Sequence, residues 1–517
     1  MDVLFSYKVE LLLFGCFTLL LSIVAHIFQK EKLSLLLLLS AGAFLFLSAA
    51  VLFPFLNIWD ERFHALVAKN LMQHPLMPTL YDQPIVNMVY TDDWARFHIW
   101  LHKQPLFMWQ MALSYKLFGV SELAARLPSV VLACFTVFGG YRSGKILGNK
   151  NIAYYTAFLL VTSFYLKELV AGWQMTDHND LSFLAYISLS IWAWLEYIHS
   201  GKRKWIILVG VFSGCAILCK WIVGLLVYLC WGIYSIKENK LQIKKYKDIA
   251  LALLITVVVF LPWQILIFSW YPNEAKAEYL YNIKHFTQPM EGHEGPLLFH
   301  LTKINELYGS LVLYLIIPAL VIFYRNVKNK IAGLALIASV LFIYLFFTLV
   351  QTKMASFTII AILPIFVSLA FLIDFFISLI MTKLNLSSVP IKALTFLFLI
   401  TLAYLRIDIK TLSEKHSLFG NDNSYFTRLK SNKAAFKRLH LPDNAILFNV
   451  AGKHYVEAMF YTGFPAYHII PSQEQYLDLK RKNKIIALYN PKDGNIPSYL
   501  SEDKTLIILR DTIQECE

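Results

Sequence analysis

The stretch LSLLLLLSAGAFLFLSAAVLFPFL, residues 33–56, carries no charged side chain and is apolar over almost its whole length. A second stretch, LALLITVVVFLPWQILIF at residues 251–268, has the same character. A helix needs about 17–25 apolar residues to cross a hydrocarbon core of about 30 Å. Apolar runs of this kind recur along most of the chain, and a soluble protein could not bury so many of them. The sequence therefore predicts an integral membrane protein with many spans.

The composition of the whole chain supports this interpretation. Of the 517 residues, 57% are hydrophobic and 16% are charged, whereas soluble domains average about 45–50% apolar and about 25% charged residues. A formal net charge of +13 would suggest a nucleic-acid partner in a soluble protein. Here membrane topology explains the charge better, so we predict no nucleic-acid partner. The six cysteines contain no C-x-x-C pair, and neither a disulfide framework nor a zinc site is predicted.

We predict about twelve transmembrane helices, and hence an all-α polytopic membrane fold. Their approximate bounds are 8–28, 33–56, 122–141, 151–170, 181–199, 205–219, 221–236, 249–268, 309–325, 331–350, 357–380 and 391–406. Lysine and arginine concentrate in every second loop, for example at Lys202, Arg203 and Lys204. The positive-inside rule places these loops in the cytoplasm. The other loops and both termini would then face the periplasm, if the membrane is a bacterial inner membrane.

Two long segments, residues 57–122 and 270–308, fall on the predicted outer face. The first contains aromatic-rich stretches of helical spacing, Arg62–Met72 and Pro105–Phe118, which are typical of helices that lie in the membrane interface. Residues 1–406 would form the transmembrane domain, with these two segments as outer loops.

The remaining residues, 407–517, have a different character. Short apolar runs at 445–450, 467–470, 484–488 and 505–509 alternate with helical patterns at 454–461 and 473–480. Strands that alternate with helices predict a mostly parallel sheet. We therefore predict a small C-terminal α/β domain outside the membrane, on the periplasmic side.

Acidic and basic residues stand at the predicted outer end of the second span. Asp60, Glu61 and Arg62 follow it directly. Asp60 could cap the next helix by accepting hydrogen bonds from its first turn, and it could also be catalytic. Lys103, beside the second interfacial helix, could bind a lipid phosphate at headgroup depth, or it could simply extend its ammonium group towards water. The local sequence leaves both alternatives open.

Further ionisable residues fall on the same predicted face. Lys220 and Lys353 lie at the outer ends of spans, and His285 and His293 lie in the second long segment. Asp177 begins the fifth span beside two more ionisable residues, and such groups are costly near membrane depth unless they have partners. It could cap that span, or it could help to ligate a divalent metal. These residues complete the set from which a site could be built.

The string KQPLFMWQMALSYKLFGVSELAARLPS, residues 103–129, resembles the GT-C glycosyltransferases. The nearest resemblance is to the bacterial lipid A aminoarabinose transferases and the protein O-mannosyltransferases. Matching positions also include the acidic pair at 60–61, Asp177, Lys220, the segment 293–296 and the segment 353–364. The resemblance covers most of residues 57–370 and leaves out the C-terminal part.

The resemblance implies a polyprenyl-phosphate-linked sugar as donor and inversion at the anomeric carbon. Asp60, with its neighbour Glu61, would be the catalytic pair, with Asp60 as the base, and Lys103 would hold the donor phosphate. Asp177, with His102 and His293, would support the site. Such a transfer needs a carboxylate to take a proton and cations to stabilise the departing phosphate. The candidates for the second role are Lys103, Arg62, Arg126, Lys220 and Lys353.

The one cofactor that the sequence suggests as possible is a divalent metal ion. In some relatives a glutamate before the motif lysine binds a metal together with a loop histidine, and here that position holds His102. His102, His285 and Asp177 are therefore the candidate metal ligands.

The sequence as a whole predicts an inverting glycosyltransferase. It would move a sugar from a polyprenyl-phosphate carrier to a lipid, glycan or protein acceptor on the outer face of the membrane. The alternative is a transporter or flippase of lipid-linked saccharides. Transporters tend to have broken helices, charges at the midplane and related repeats. Here the ionisable residues cluster at one face, and no internal repeat is visible.

Overall fold

Helices dominate the computed structural model, which describes residues 2–82, 84–86, 94–239, 246–384, 388–491 and 494–516. In the first outer segment, residues 83 and 87–93 lie outside the described residues. The helices up to residue 407 are α1 (Lys8–Ile27), α2 (Glu31–Ala50), α3 (Asp60–Leu71), α4 (Leu106–Phe118), α5 (Glu122–Leu147), α6 (Lys150–Val161), α7 (Phe164–Val170), α8 (Asp177–Ser200), α9 (Arg203–Lys220), α10 (Leu226–Asn239), α11 (Lys247–Trp270), α12 (Pro272–Thr287), α13 (Phe299–Thr302), α14 (Ile304–Tyr308), α15 (Val312–Asn326), α16 (Lys330–Leu349), α17 (Ile362–Leu384) and α18 (Ser388–Ile407).

Within the described ranges, nine helical segments are long and apolar enough to cross a membrane. They are Val3–Ile27, Glu31–Ala50, Glu122–Leu147, Asp177–Ser200, Arg203–Glu238, Lys247–Trp270, Lys330–Leu349, Ala355–Thr382 and Val389–His416. The prediction of an integral membrane protein is confirmed. The finer count of twelve spans stays a prediction, and two of its members, 33–56 and 151–170, differ from the structure in ways that have physical causes.

The predicted span 33–56 ends earlier, at Ala50. Pro54 has no N–H to donate and cannot continue the helix. A buried arginine binds the carbonyl groups at this helix end and just after it. Arg126 of α5 donates to the carbonyl oxygens of Ala50 at 3.0 Å and Phe53 at 2.6 Å. A buried backbone carbonyl needs such a partner. Arg126 therefore fixes the irregular chain that leads into α3.

The predicted span 151–170 is broken into α6 and α7. The Ser163 side chain caps α7 by accepting a hydrogen bond from the N–H of Leu166. The carbonyl of Leu159, which the break leaves without a helical partner, accepts a hydrogen bond of 2.8 Å from Arg406 of α18. Apolar length alone predicted one continuous helix, and the capping serine was the sequence signal for two.

The predicted spans 205–219 and 221–236 correspond to α9 and α10, which form a hairpin. The 3-10 helix Trp221–Leu225 joins α9 to α10. The ring of Trp205, at the start of α9, lies 5.3 Å from that of Trp192. The ring of Tyr234, near the end of α10, lies 5.9 Å from that of Trp194. Because both tryptophans lie in the same part of α8, α9 and α10 run in opposite directions.

After residue 407 the chain forms α19 (Ile409–His416), α20 (Ser424–Lys437), α21 (Tyr455–Thr462), α22 (Gln473–Arg481), α23 (Ser498–Ser501) and three strands, β1 (Ala445–Phe448), β2 (Ile485–Tyr489) and β3 (Ile507–Leu509). The strands are parallel, in the order β1-β2-β3, with Ala445 opposite Ile485. Both β1 and β2 are buried and apolar, as parallel strands covered on both faces are.

The predicted fourth strand, 467–470, is not a strand. The chain beside it makes a single parallel bridge, between Leu447 and Ala466. Pro465 and Pro471 flank this stretch and have no N–H for a ladder. The stretch still makes backbone hydrogen bonds beside β1: the N–H of Tyr467 donates to the carbonyl oxygen of Leu447 at 2.9 Å, and Ile469 accepts from the N–H of Asn449 at 2.9 Å. It therefore lies along the edge of the sheet without forming a continuous ladder.

The sheet shares one apolar core with α3 and α4. Polar contacts reinforce the junction: Lys69 of α3 donates to the carbonyl oxygen of Phe460 at 2.8 Å, and the hydroxyl of Tyr461 donates to Glu122 at 2.9 Å. Residues 407–517 are therefore packed directly against the end of the bundle that carries the predicted site residues.

Candidate active site

A cavity of about 1240 Å³ opens at the end of the bundle where α3 begins and α9 ends. It is mainly apolar, with charged groups from several elements facing it. The predicted site residues that line it are Asp60, Arg62, His102, Lys103, Lys220, His285 and His293. Those that do not line it are Glu61, Arg126, Asp177 and Lys353. The cavity thus brings together seven predicted site residues that are separated by up to more than two hundred residues in the sequence. The other four predicted site residues lie outside its lining.

Asp60 and Lys103 form an ion pair in the cavity wall. Oδ2 of Asp60 lies 3.1 Å from Nζ of Lys103, and both side chains are largely buried. Asp60 is the first residue of α3, and no side-chain hydrogen bond caps that helix, so Asp60 does not serve as its cap. Burial opposes the charge of Asp60, but Lys103, with His64 and His102, holds the pKa of Asp60 below its usual value. Burial likewise opposes the charge of Lys103, and Asp60 raises its pKa.

Glu61 points away from the cavity and is fully buried. It accepts hydrogen bonds of 2.6 and 2.9 Å from Arg126 and one of 2.7 Å from the backbone N–H of Asn57. Its Oε1 also lies 3.2 Å from Nε2 of His178. Burial opposes its charge, but Arg126 holds the pKa of Glu61 well below the usual range. With these bonds made, Glu61 has no free face for a substrate, contrary to the expectation of a catalytic role.

Close packing also holds Glu61 in place. Gly172 has a φ of +70°, and a Cβ built there would lie 2.2 Å from Oε1 of Glu61. Only glycine fits this backbone position beside the carboxylate. Glu61 and Arg126 therefore form a structural ion pair behind the cavity wall.

Lys353 also has a structural place. Its Nζ donates to the carbonyl oxygens of Phe347 at 3.1 Å and Thr348 at 2.7 Å, in the last turn of α16. A lysine at a helix C-terminus binds unpaired carbonyl groups and offsets the helix dipole. The prediction that Lys353 faces a phosphate disagrees with this geometry.

Two further cations do face the cavity. Lys220 pairs with Asp180 of α8, and its Nζ lies 4.9 Å from the centre of the Phe357 ring. Arg62 lies 3.3 Å, from Nη1 to Oε2, from Glu457 of α21. The cavity is therefore lined by Lys103, Lys220 and Arg62, each of which has a carboxylate within reach.

Asp177 supports the site through a histidine that the sequence analysis did not single out. Oδ1 of Asp177 lies 3.0 Å from Nδ1 of His64, and both residues are fully buried. The other ring nitrogen of His64, Nε2, lies 3.9 Å from Oδ2 of Asp60. His64 thus stands between two carboxylates. Its spacing of four residues from Asp60 on α3 was the signal that could have found it.

The three candidate metal ligands do not meet at one point. His102 lies 3.5 Å from Glu278 and stacks on Trp94, whereas His285 lies 3.0 Å from the hydroxyl of Thr352. Asp177 is already bound to His64. In the part of the chain that the structure describes, no group of three or more His, Cys, Asp or Glu side chains is arranged to hold a metal.

The cavity is also lined by residues that were not among the predicted site residues. Glu291, in the second outer segment, accepts hydrogen bonds from Trp94 and from the hydroxyl of Tyr281. Burial opposes its charge, but His102, Tyr281 and Lys103 hold its pKa below the usual value. Lys453 enters from the C-terminal part of the chain, with Nζ 5.9 Å from the Trp94 ring centre. No local signal could have assigned Lys453 to a site so far away in sequence.

Comparison with known sequences agrees with the resemblance. Residues 102–266 match the family model described as dolichyl-phosphate-mannose-protein mannosyltransferase. An uncharacterized protein of Aquifex aeolicus is 28% identical over 211 residues, which are 40% of this chain and 38% of that protein. Undecaprenyl phosphate-alpha-4-amino-4-deoxy-L-arabinose arabinosyl transferase 2 of Pseudomonas fluorescens is 23% identical over 236 residues, 43% of this chain and 39% of that protein. The matched part thus spans about two fifths of these curated relatives.

Solved structures extend the likeness to most of the chain. The crystal structure of ArnT from Cupriavidus metallidurans bound to undecaprenyl phosphate gives a TM-score of 0.62 at 16% identity, covering 86% of this chain and 87% of that one. The archaeal oligosaccharyltransferase AglB from Archaeoglobus fulgidus, in complex with an inhibitory peptide and a dolichol-phosphate, gives 0.53 at 13% identity, covering 84% and 64%. The resemblance to the GT-C glycosyltransferases is confirmed, and the chain has their fold.

Proposed function

We propose that this protein is an inverting glycosyltransferase that moves a sugar from a polyprenyl-phosphate carrier to a lipid, glycan or protein acceptor. The observation that carries the proposal is the Asp60–Lys103 pair, with its 3.1 Å contact, in the wall of a large cavity at the end of a membrane bundle. The donor class is taken from the matched family model, the Pseudomonas fluorescens transferase, ArnT and AglB, whose names or bound ligands include undecaprenyl or dolichyl phosphates.

Asp60 and Lys103 have the two chemical functions that the transfer needs. The acceptor oxygen forms a bond to the anomeric carbon and gives its proton to the Asp60 carboxylate. The bond between that carbon and the phosphate oxygen breaks, and the electron pair leaves with the lipid phosphate. Lys103 and Lys220 line the cavity and stabilise the charge that develops on the phosphate. An acceptor that is itself an ionised phosphate would need no base, and Asp60 would then orient it.

The binding of the donor would change the base. In the free protein Lys103 lies on Asp60, so a donor phosphate competes for the same ammonium group. As Lys103 moves towards the phosphate, the Asp60 carboxylate loses part of the positive charge that lowers its pKa, and it becomes a stronger base. The site would thus gain basicity when the substrate is present.

The membrane setting fits a lipid carrier. The cavity lies beside apolar helix ends, where an isoprenoid chain can stay in the bilayer while its phosphate reaches Lys103. We place the cavity and the C-terminal part on the periplasmic side of a bacterial inner membrane, with twelve spans, a transmembrane domain of residues 1–406 and an α/β domain of residues 407–517. The distribution of lysine and arginine between loops supports this orientation.

The test is transfer by the purified protein in detergent. The donors are undecaprenyl-phosphate 4-amino-4-deoxyarabinose and dolichyl-phosphate mannose, and mass spectrometry follows the released lipid phosphate and the glycosylated acceptor in lipid and peptide mixtures. We expect transfer from one donor and at least a thousandfold loss in Asp60→Asn, which keeps the size of the side chain. A transporter has no activity without two compartments. Full activity in Asp60→Asn would refute the assignment of the base.

A further inference from the structure

We propose that His64 is a positioning residue that accepts, through Nε2, the proton collected by Asp60, and that Asp177 holds it in the tautomer that can do so. This inference rests on the proposed function and deepens it. The observation is the row of three side chains in which the His64 ring separates the Asp60 carboxylate, in the cavity wall, from the buried Asp177 carboxylate.

The geometry assigns different tasks to the two ring nitrogens of His64. Nδ1 lies 3.0 Å from Oδ1 of Asp177, a carboxylate that can only accept, so Nδ1 carries the proton. Nε2 is then an acceptor in the neutral ring. It is buried, has no hydrogen-bond partner among the described residues, and faces Oδ2 of Asp60 at 3.9 Å. A shift of about 1 Å brings it within hydrogen-bond distance.

Among the described contacts of His64, only Asp60 and Asp177 can exchange a proton with its ring. Phe107 of α4 and Trp100 meet the ring edge to face, with ring centres 4.7 and 5.9 Å away. Neither is charged. The titratable groups that face the ring are Asp60 from its own helix and Asp177 from α8. A buried histidine whose role was only structural would have no need of a second carboxylate opposite its unpaired nitrogen.

The proton path is balanced. The acceptor hydroxyl loses its proton to Asp60 as its oxygen bonds to the anomeric carbon, and the lipid phosphate leaves with the electron pair. Asp60 then passes the proton to Nε2 of His64, while Nδ1–H stays bonded to Asp177. The resulting imidazolium lies between two carboxylates and is stabilised by both. After the products leave, the proton returns through Asp60 to water.

Two variants with little change in size test the inference. His64→Asn keeps a donor near the position of Nδ1 but offers no basic nitrogen. Asp177→Asn presents an amide N–H to Nδ1, which forces the proton onto Nε2. In serine proteases the equivalent change in a His–Asp pair lowers turnover about 10⁴-fold through the wrong tautomer. We expect each variant to lower kcat at least tenfold, while the affinity for undecaprenyl phosphate changes less than twofold.

The pH profile and the double variant separate this role from a structural one. The relay makes turnover depend on a proton step that His64→Asn lacks, so we expect the acid limb of the pH profile of kcat to move in this variant. The double variant should be no slower than the slower single variant, because the two residues act as one unit. The relay would be overturned if either folded variant kept kcat within twofold of normal with the acid limb of its pH profile unmoved. It would also be overturned if the double variant lost kcat by the product of the two single losses. A failure of the proposed function looks different, because Asp60→Asn would then be active.

Discussion

The oxygen of Asp60 that lies 3.1 Å from Nζ of Lys103 is the same Oδ2 that faces His64. One carboxylate oxygen therefore has a cation on one side and an unpaired ring nitrogen on the other. In the proposed mechanism, a phosphate that draws Lys103 away would release Oδ2 towards His64. The position of this one oxygen would then couple donor binding to proton transfer.

Replacing Lys103 by Gln should weaken donor binding. A hydrogen bond to a charged group contributes about 1.5–3 kcal/mol, so the Kd for undecaprenyl phosphate, measured by tryptophan fluorescence in detergent, should rise about 10–100-fold. The matched control is Lys116→Gln, at an exposed position on α4, which should bind normally. Equal affinity of the two variants would exclude Lys103 as the phosphate ligand.

Lys220 and Lys353 should behave differently, although the sequence predicted the same role for both. Lys220→Gln removes a cation from the cavity and should lower the affinity for undecaprenyl phosphate about tenfold. Lys353→Gln removes hydrogen bonds to the end of α16 and should lower the melting temperature in detergent while the affinity stays within twofold. The reverse pattern would restore Lys353 to the phosphate site.

Glu61→Gln should destabilise the protein rather than only inactivate it. Removing one partner of a buried ion pair typically costs about 3–5 kcal/mol, because the other charge stays buried. The midpoint temperature of unfolding should fall by several degrees. It is measured from the loss of the monodisperse chromatographic peak after heating. The control is Glu238→Gln, at an exposed position on α10. A variant of Glu61 with normal stability and no transfer would instead support the catalytic role that the sequence suggested.

The C-terminal part should lose stability in alkali. Burial opposes the charge of His454, but Glu457, 2.8 Å away, raises the pKa of His454 to about 9. A raised folded pKa stabilises the fold fully below pH 6.5, and this stabilisation, at most about 3 kcal/mol, is lost as the pH rises through 9. Limited proteolysis of residues 445–513 should therefore accelerate between pH 7 and pH 10. His454→Gln should remove that dependence, and an unchanged pH profile in this variant would contradict the assignment.

The sequence predicts the spans and the face of the site better than the partners within it. Apolar length is a local property, so most spans were found within a few residues. Asp60, Lys103 and Lys220 could be placed on one face because alternation of the loops orders the helix ends. Whether an ionisable side chain at such an end faces a cavity or a neighbouring carbonyl depends on packing, and this is why Lys353 and Arg126 were assigned to phosphate binding.

Contacts between distant parts of the chain could not be predicted from the sequence. Lys453 reaches the cavity, and Glu457 reaches Arg62 in its wall, because the C-terminal part packs on α3. No local pattern predicts that packing. His64 differs, since its position four residues after Asp60 on a helix already made the two side chains neighbours. The sequence therefore contained a signal for the Asp60–His64 contact, whereas the position of Lys453 depends on tertiary packing.

The bond from Arg62 to Glu457 joins positions near the two ends of the chain. During synthesis, every span up to α18 can insert before Glu457 leaves the ribosome. Until then the cavity lacks Lys453, and Arg62 in its wall lacks its partner Glu457. We therefore expect a nascent protein to be anchored in the bilayer before its cavity is complete. A truncation before Lys453 would therefore keep every helix up to α18 while removing this part of the cavity lining.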